Sequence, residues 1–279
     1  MNQDISSKRS PWAFFVLVYA LSIPFWVVNV LFPLNLPIDN LPVTDIGATF
    51  MPLVAASILV HREGEPGGVR RFLKRVFDYK RITKKIWYIP IFLLMPIVYV
   101  ITYTIMRLAG LPVPAEWHIP LVLPLLFVAF FFAAAGEELG YTGYAIDPLQ
   151  SRYPSLTAGI MAGSFWAIWH LPSMIQIGQT PGLIAWGLLG TVGFRILIVW
   201  IYNNTGNSVC AAILFHAMTN TGRSVFPGSR SAYELADGIA GYSLIIVTAV
   251  IVVFLWGSKT LARFRLPGKR PEGSIPSGE

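Results

Sequence analysis

The stretch Ala133–Tyr144 reads AAAGEELGYTGY and follows the apolar run Ile119–Phe132, IPLVLPLLFVAFFF. Glu137 and Glu138 therefore stand on a segment that reads as membrane-spanning. A carboxylate at that depth costs about 2.5–3.5 kcal/mol on insertion scales, and two adjacent carboxylates also repel each other. A chain that keeps both has a use for them.

The surroundings support a membrane reading. Of the 279 residues 54% are hydrophobic and 13% charged, with a mean hydropathy of +0.60, whereas soluble domains carry about 25% charged residues. The single cysteine, Cys210, excludes an intrachain disulfide and a cysteine metal cluster. The net charge of +7 would suit a nucleic-acid binder if it were spread over a surface, but it is not. Lys8 and Arg9 precede the first apolar run, a second group lies between Arg62 and Lys85, and a third lies between Lys259 and Arg270. Together they hold 16 of the 21 lysines and arginines. Basic residues flanking apolar segments follow the positive-inside rule, and no nucleic-acid partner is called for.

Apolar runs of spanning length fall at about 11–34, 42–60, 87–109, 120–146, 155–176, 182–202, 207–222 and 239–257. The expected fold is an all-α polytopic bundle of about eight transmembrane helices, occupying residues 1–266, with a disordered tail over 267–279. Eight spans with a cytoplasmic N-terminus put all three basic groups, and both termini, on the cytoplasmic side. Within 61–86, Val69, Phe72, Leu73 and Val76 share a face opposite arginines and lysines. This reads as an interfacial helix on anionic lipid headgroups. Gly136-x-x-x-Gly140 and Gly159-x-x-x-Gly163 are small-xxx-small patterns suited to close helix contact.

Away from span ends, the strongly polar residues are Glu137, Glu138, His170, Arg195, His216 and Asn220. Trp166 and His170 are four apart, as are His216 and Asn220, so each pair shares a helix face. With a turn near Asp147–Pro154, Glu137 and His170 lie roughly 15 and 24 Å from it at 1.5 Å per residue. A tilted helix pair brings them to one intramembrane polar cavity. Taken singly, a membrane histidine is more often an interhelical hydrogen-bonder, and Asn220 alone would be helix glue. Two carboxylates, two imidazoles and a carboxamide on three spans are instead an inventory for activating water and holding an oxyanion.

EELGYTGY, FWAIWHLP and HAMTN resemble the three motifs of the CPBP (Abi, or type II CAAX prenyl protease) family of intramembrane proteases. The resemblance covers about residues 118–222. It implies an intramembrane endopeptidase acting on a membrane-associated protein or peptide. Glu137 matches the glutamate that activates water with His170, His216 and Asn220 match the pair that stabilises the oxyanion, and Glu138 matches the second, supporting glutamate. Relatives include prokaryotic cell-membrane proteins as well as eukaryotic enzymes that cleave prenylated CAAX proteins. The family's basic position, four after the second glutamate, is Thr142 here.

The residues leave metal open. Glu137, His170 and His216 would supply a zinc site of two histidines and a glutamate, although no HExxH helix is present, and a metal-free glutamate–histidine mechanism uses the same groups. Metal-free catalysis is the expectation. Two other functions compete: a proteolytically silent immunity or scaffold protein that binds a peptide or partner, and a proton-relay transporter, which the lack of an inverted repeat disfavours. Arg195 lies near the centre of its span, where the deep carboxylates are Glu137 and Glu138. It reads either as a lining residue of a wet cavity or as a partner that pairs with Glu138 in place of the base missing at Thr142, leaving Glu137 for chemistry.

Overall fold

The computed structural model describes residues 9–35, 42–111, 113–114, 119, 121–227 and 238–262. The tail expected over 267–279, Lys8 and the basic residues from Arg263 onward lie outside these. Helices run over Pro11–Leu31 (α1), Val43–Ala48 (α2), Met51–Arg62 (α3), Gly68–Leu73 (α4), Tyr88–Leu108 (α5), Leu123–Gly140 (α6), Asp147–Gln150 (α7), Ser155–Gln176 (α8), Pro181–Asn204 (α9), Val209–Ser224 (α10) and Ile239–Trp256 (α11). A π-helical segment, Tyr141–Ile146, joins α6 to α7.

Six of these helical stretches are long and apolar enough to cross a membrane: Pro11–Leu31, Val43–Arg62, Lys85–Leu108, Leu123–Gln150, Pro181–Asn204 and Ile239–Trp256. The eight-span expectation is met at those six. The other two expected spans are α8 and α10, and the reason they fall outside the count is physical. They carry His170, His216 and Asn220, and α10 is only 16 residues long. Their polar faces turn to protein rather than lipid, a placement that intramembrane polar residues require.

One end of the bundle is tied together by polar contacts. Arg9, at the start of α1, makes a two-pronged ion pair with Glu63 after α3, at 2.8 and 2.9 Å. Arg152 donates to the Arg9 carbonyl, Ser155 N donates to the Lys259 carbonyl, and Arg81 donates to the Gly206 carbonyl. The starts of α1, α8 and α10 and the ends of α3, α9 and α11 thus meet at one face, the face that carries the basic groups.

The segment 61–86 departs from the expected interfacial helix. Its α-helical part ends at Leu73 and continues as 3-10 turns through Phe77. Phe72 is buried in the bundle core. Arg75, expected on the headgroup side, turns inward and donates to the carbonyls of Gly143 (2.7 Å) and Asn207 (3.2 Å) and to the Tyr202 hydroxyl (3.0 Å). Tyr202 in turn donates to the Asp147 carboxylate. A guanidinium with five donors is better satisfied by three fixed acceptors than by mobile headgroups. The segment is a strap clasped to the bundle at the π-helical turn.

Close helix approach then sets the site. A side chain at Gly140 would put its Cβ 2.6 Å from the Pro52 carbonyl oxygen, and one at Gly136 would sit 2.8 Å from that of Thr49. These glycines let α6 lie directly against the α2–α3 break, which fixes the depth and rotation of Glu137 and Glu138. Gly163 performs the same service for α9. A Cβ there would come within 3.0 Å of the Arg195 Cβ and the Val192 Cα.

Candidate active site

Glu138 lies fully buried at the centre of a polar cluster. Its Oε2 accepts from Arg195 Nη1 at 2.6 Å and from the Thr142 hydroxyl at 2.5 Å, and Arg195 Nη1 also reaches Thr142 Oγ1 at 3.2 Å. Its Oε1 lies 2.9 Å from His216 Nδ1. The arginine from α9 therefore stands where Thr142 offers no charge, and Thr142 adds a hydroxyl to the same carboxylate oxygen. Neither Arg195 nor Glu138 is exposed at all. The remaining guanidinium nitrogens, Nε and Nη2, have no hydrogen-bond partner among the described residues. They lie instead against ring faces, with Cζ 4.1 Å from the Trp166 centroid and 5.1 Å from that of Tyr141. A desolvated cation over aromatic faces gains about 2 kcal/mol per good contact.

Glu137 is placed differently. Its Oε2 accepts from the Trp166 indole N–H at 2.5 Å, and its side chain lines a cavity of about 140 Å³. Trp166, His170, His216 and Asn220 line the same cavity, whereas Glu138 does not. The helical spacing explains this division. Adjacent residues on a helix point about 100° apart, so one glutamate can face the cavity while the next faces α9 and α10.

The histidines have assigned orientations by their partners. His170 Nδ1 is 2.8 Å from the Trp166 carbonyl, a pure acceptor, so Nδ1 carries the proton and Nε2 the lone pair. His216 Nδ1 faces the Glu138 carboxylate and donates to it when that carboxylate is ionised. Asn220 Oδ1 accepts from Arg223 Nη2 at 3.1 Å. Because a guanidinium only donates, this contact fixes the amide so that its NH2 turns away from Arg223. Contacts behind the site hold α8 in register. Trp169 donates to Ser22 at 2.8 Å, Ser173 to Asp45 at 2.9 Å, and Tyr19 to the Phe165 carbonyl at 2.6 Å.

The structure thus brings Glu137, Trp166, His170, His216 and Asn220 to one cavity and sets Glu138, Arg195 and Thr142 behind it. Two members of the surroundings were not singled out from the sequence. Arg223 lines the cavity but sits in the last turn of α10, where a span-end arginine reads as a snorkelling residue; the signal was its spacing, three after Asn220 and seven after His216. Arg75 was hidden by an amphipathic pattern that assigned it to lipid headgroups. Among the described residues no three histidine, cysteine or acidic side chains gather into a group able to hold a metal ion. Of the residues that could supply zinc ligands, Glu137, His170 and His216 line one cavity, with His216 Nδ1 turned to Glu138 and Glu137 turned to Trp166.

Residues 119–222 match the family model described as type II CAAX prenyl endopeptidase Rce1-like. The chain is also 26% identical over 271 residues to CAAX prenyl protease 2 of Methanococcus maripaludis, an alignment spanning 89% of this chain and 95% of the relative. The matched region begins just before α6 and ends inside α10, so it contains Glu137, Glu138, Thr142, Trp166, His170, Arg195, His216 and Asn220, and stops one residue short of Arg223. Taken with the apolar helices, the two likenesses make the chain a multi-pass membrane protease similar to the type II CAAX prenyl endopeptidases.

Proposed function

We propose that the chain hydrolyses a peptide bond of a membrane-associated protein or peptide with a water activated by Glu137. The observation that carries this reading is the unequal treatment of the two glutamates: Glu138 is matched by Arg195, Thr142 and His216, while Glu137 faces the cavity with a single indole donor. Water held between Glu137 and the His170 Nε2 lone pair gives a proton to the Glu137 carboxylate as its oxygen attacks the substrate carbonyl. The oxyanion that forms is held by the Asn220 amide N–H and by His216, whose Nε2 donates in the imidazolium form. Glu138 stabilises that imidazolium through Nδ1, and with Glu137 protonated the charges of Glu138, Arg195, His216 and the oxyanion sum to zero in a buried site. Collapse of the tetrahedral intermediate breaks the C–N bond, and protonated Glu137 returns its proton to the leaving amine. No step requires a metal. Chelation should leave turnover unchanged, and loss of activity restored by zinc would overturn the scheme.

The topology bears on the substrate. The cavity lining runs from helix middles to the ends remote from the basic face: Tyr99 in α5, Phe130 in α6, Met174 in α8, Gly190 in α9, Arg223 in α10 and Tyr242 in α11. With the basic groups cytoplasmic, the cavity lies on the extracytoplasmic half of the bundle, and the reacting end of the substrate reaches it from that side. Reporter fusions at Arg75 and at the C-terminus should both read as cytoplasmic; an extracytoplasmic reading at either place contradicts this orientation. Comparing membrane proteomes of cells carrying the intact chain and its Glu137→Gln form tests the chemistry. Shifted C-termini that appear only with the intact chain are the expected result, and identical C-termini in the two proteomes would contradict it.

A further inference from the structure

The π-helical segment Tyr141–Ile146 begins three residues after Glu138 and cannot complete its own hydrogen bonds. A π-helix bonds each carbonyl to the N–H five residues on. For Gly143 that residue is Pro148, which has no N–H to give. Arg75 Nη1 takes the open acceptor at 2.7 Å. Its side chain is only 13% exposed, on a strap whose Arg70, Arg71 and Lys74 are exposed. Phe72, one turn earlier on the strap, grips the same residue: a Cβ at Gly143 would lie 3.4 Å from its ring. The second terminal nitrogen, Nη2, reaches the Tyr202 hydroxyl at 3.0 Å and the Asn207 carbonyl at 3.2 Å. Tyr202 follows Arg195 on α9, and Asn207 lies just before α10, which carries His216. One side chain therefore bridges the three elements that bring Thr142, Arg195 and His216 to the Glu138 carboxylate.

We propose that Arg75 is a positioning residue for the hydrolysis: by holding the Gly143 carbonyl it keeps the turn in its π register, and with it the cluster around Glu138 that leaves Glu137 for chemistry. The proposal rests on the peptidase reading and adds to it a residue outside the cavity, since Arg75 is not among the residues that line it. Without the guanidinium, Asp147 N, four residues beyond Gly143, bonds that carbonyl in the α register instead. Thr142, next to Gly143, then turns with the backbone and leaves the Glu138 oxygen that it shares with Arg195. The effect of Arg75 is on the rate of the chemical step and not on contact with substrate.

The test uses the full-length chain in proteoliposomes and a pool of N-terminally acylated synthetic peptides, with cleavage read as new C-termini by mass spectrometry. Arg75→Met keeps the apolar stem and removes every donor. It should lower kcat by at least about tenfold, toward the hundredfold that a displacement of about 1 Å costs, and leave KM within about twofold. Arg75→Lys should restore part of kcat, because an ammonium can reach the Gly143 carbonyl but not all three acceptors; where Arg75→Met does not fold, Arg75→Lys carries the same test. The decisive variant is Pro148→Ala, which supplies the missing N–H and, added to either change at Arg75, should recover kcat. A residue that merely clasped the strap would not be rescued in this way, so an unrescued double variant overturns the proposal, as does an Arg75→Met chain with the parent's kcat. Asp78→Ala loosens the strap at α10 and leaves Gly143 alone, so it should keep kcat; a fall as large as that of Arg75→Met would assign the effect to the strap as a whole and overturn the proposal. Hydrogen exchange over residues 141–151 decides the point without turnover. Faster exchange in Arg75→Met, slowed again by Pro148→Ala, upholds the lock, and unchanged exchange overturns it. Peptides left uncleaved by the intact chain would contradict the peptidase reading, and the exchange result would still decide whether Arg75 holds the turn.

Discussion

The two ends of α10 lie in opposite halves of the bundle and handle polar groups in opposite ways. At the basic face the polar groups around the start of the helix are paired. Asp78 accepts from Ser208 Oγ at 2.8 Å, Cys210 N at 3.0 Å and Val209 N at 3.3 Å, and Ser208 itself caps Ala211 N. Arg75, Tyr202 and Asp147 close a second chain of contacts beside it. Seven residues into the helix the pattern reverses: His216, Asn220 and Arg223 face a cavity, with donors directed at space a substrate can fill. Saturated polar contacts make one half a rigid anchor, and unsaturated ones make the other half a site. Positioned catalytic groups need such an anchor, because misplacement by about 1 Å can cost about a hundredfold in rate.

The contrast can be broken most severely at Arg195. Arg195→Leu leaves the Glu138 carboxylate buried without its cation, and breaking a buried pair in this way destabilises by about 3–5 kcal/mol. Thermal unfolding in detergent should show that loss together with impaired turnover, and adding Thr142→Arg should recover part of both by restoring a cation at the i+4 position. A double-mutant cycle between Arg195 and Glu138 should show coupling, and strictly additive losses would mean that the 2.6 Å contact does not organise the site. A smaller effect is expected at Gly140. Gly140→Ala forces a Cβ against the Pro52 backbone, an overpacking of about 1–3 kcal/mol, and it should lower turnover as well as stability because it displaces Glu137 and Glu138. The smallest lies at the anchored end: Asp78→Ala removes a helix cap worth about 1 kcal/mol, and turnover per folded molecule should stay unchanged. If Asp78→Ala lowered kcat as strongly as Gly140→Ala, the two halves would not be separable.

Much of this site was open to sequence reasoning because the membrane leaves so few polar residues to choose among. Arg195 and Glu138 could be matched across spans since few other charges lie at that depth, and the glycine spacings marked where helices touch. What escaped was the direction of side chains at span ends. Arg75 and Arg223 belong to a class that usually snorkels to headgroups, and only the folded chain shows one clasping a π-helical turn and the other lining the cavity. The indole bond from Trp166 to Glu137 escaped as well. The i, i+4 relation to His170 placed Trp166 on the right face, but nothing in the sequence says which of two adjacent glutamates its N–H will meet. Eight spans were read where six helices meet the length and apolarity of a crossing, because the site itself draws polar residues into α8 and α10.

The central claim is a division of labour between adjacent glutamates, and the most direct measurement is turnover and thermal unfolding of Glu137→Gln beside Glu138→Gln. For Glu137→Gln the account predicts a stability loss clearly smaller than that of Glu138→Gln, since Trp166 can still donate to the amide oxygen, with turnover lowered by about 10²–10⁴ for the lost base. For Glu138→Gln it predicts a stability loss of about 3–5 kcal/mol from the uncompensated Arg195. A Glu137→Gln chain that keeps full turnover, or a Glu138→Gln chain as stable as the parent, would contradict it.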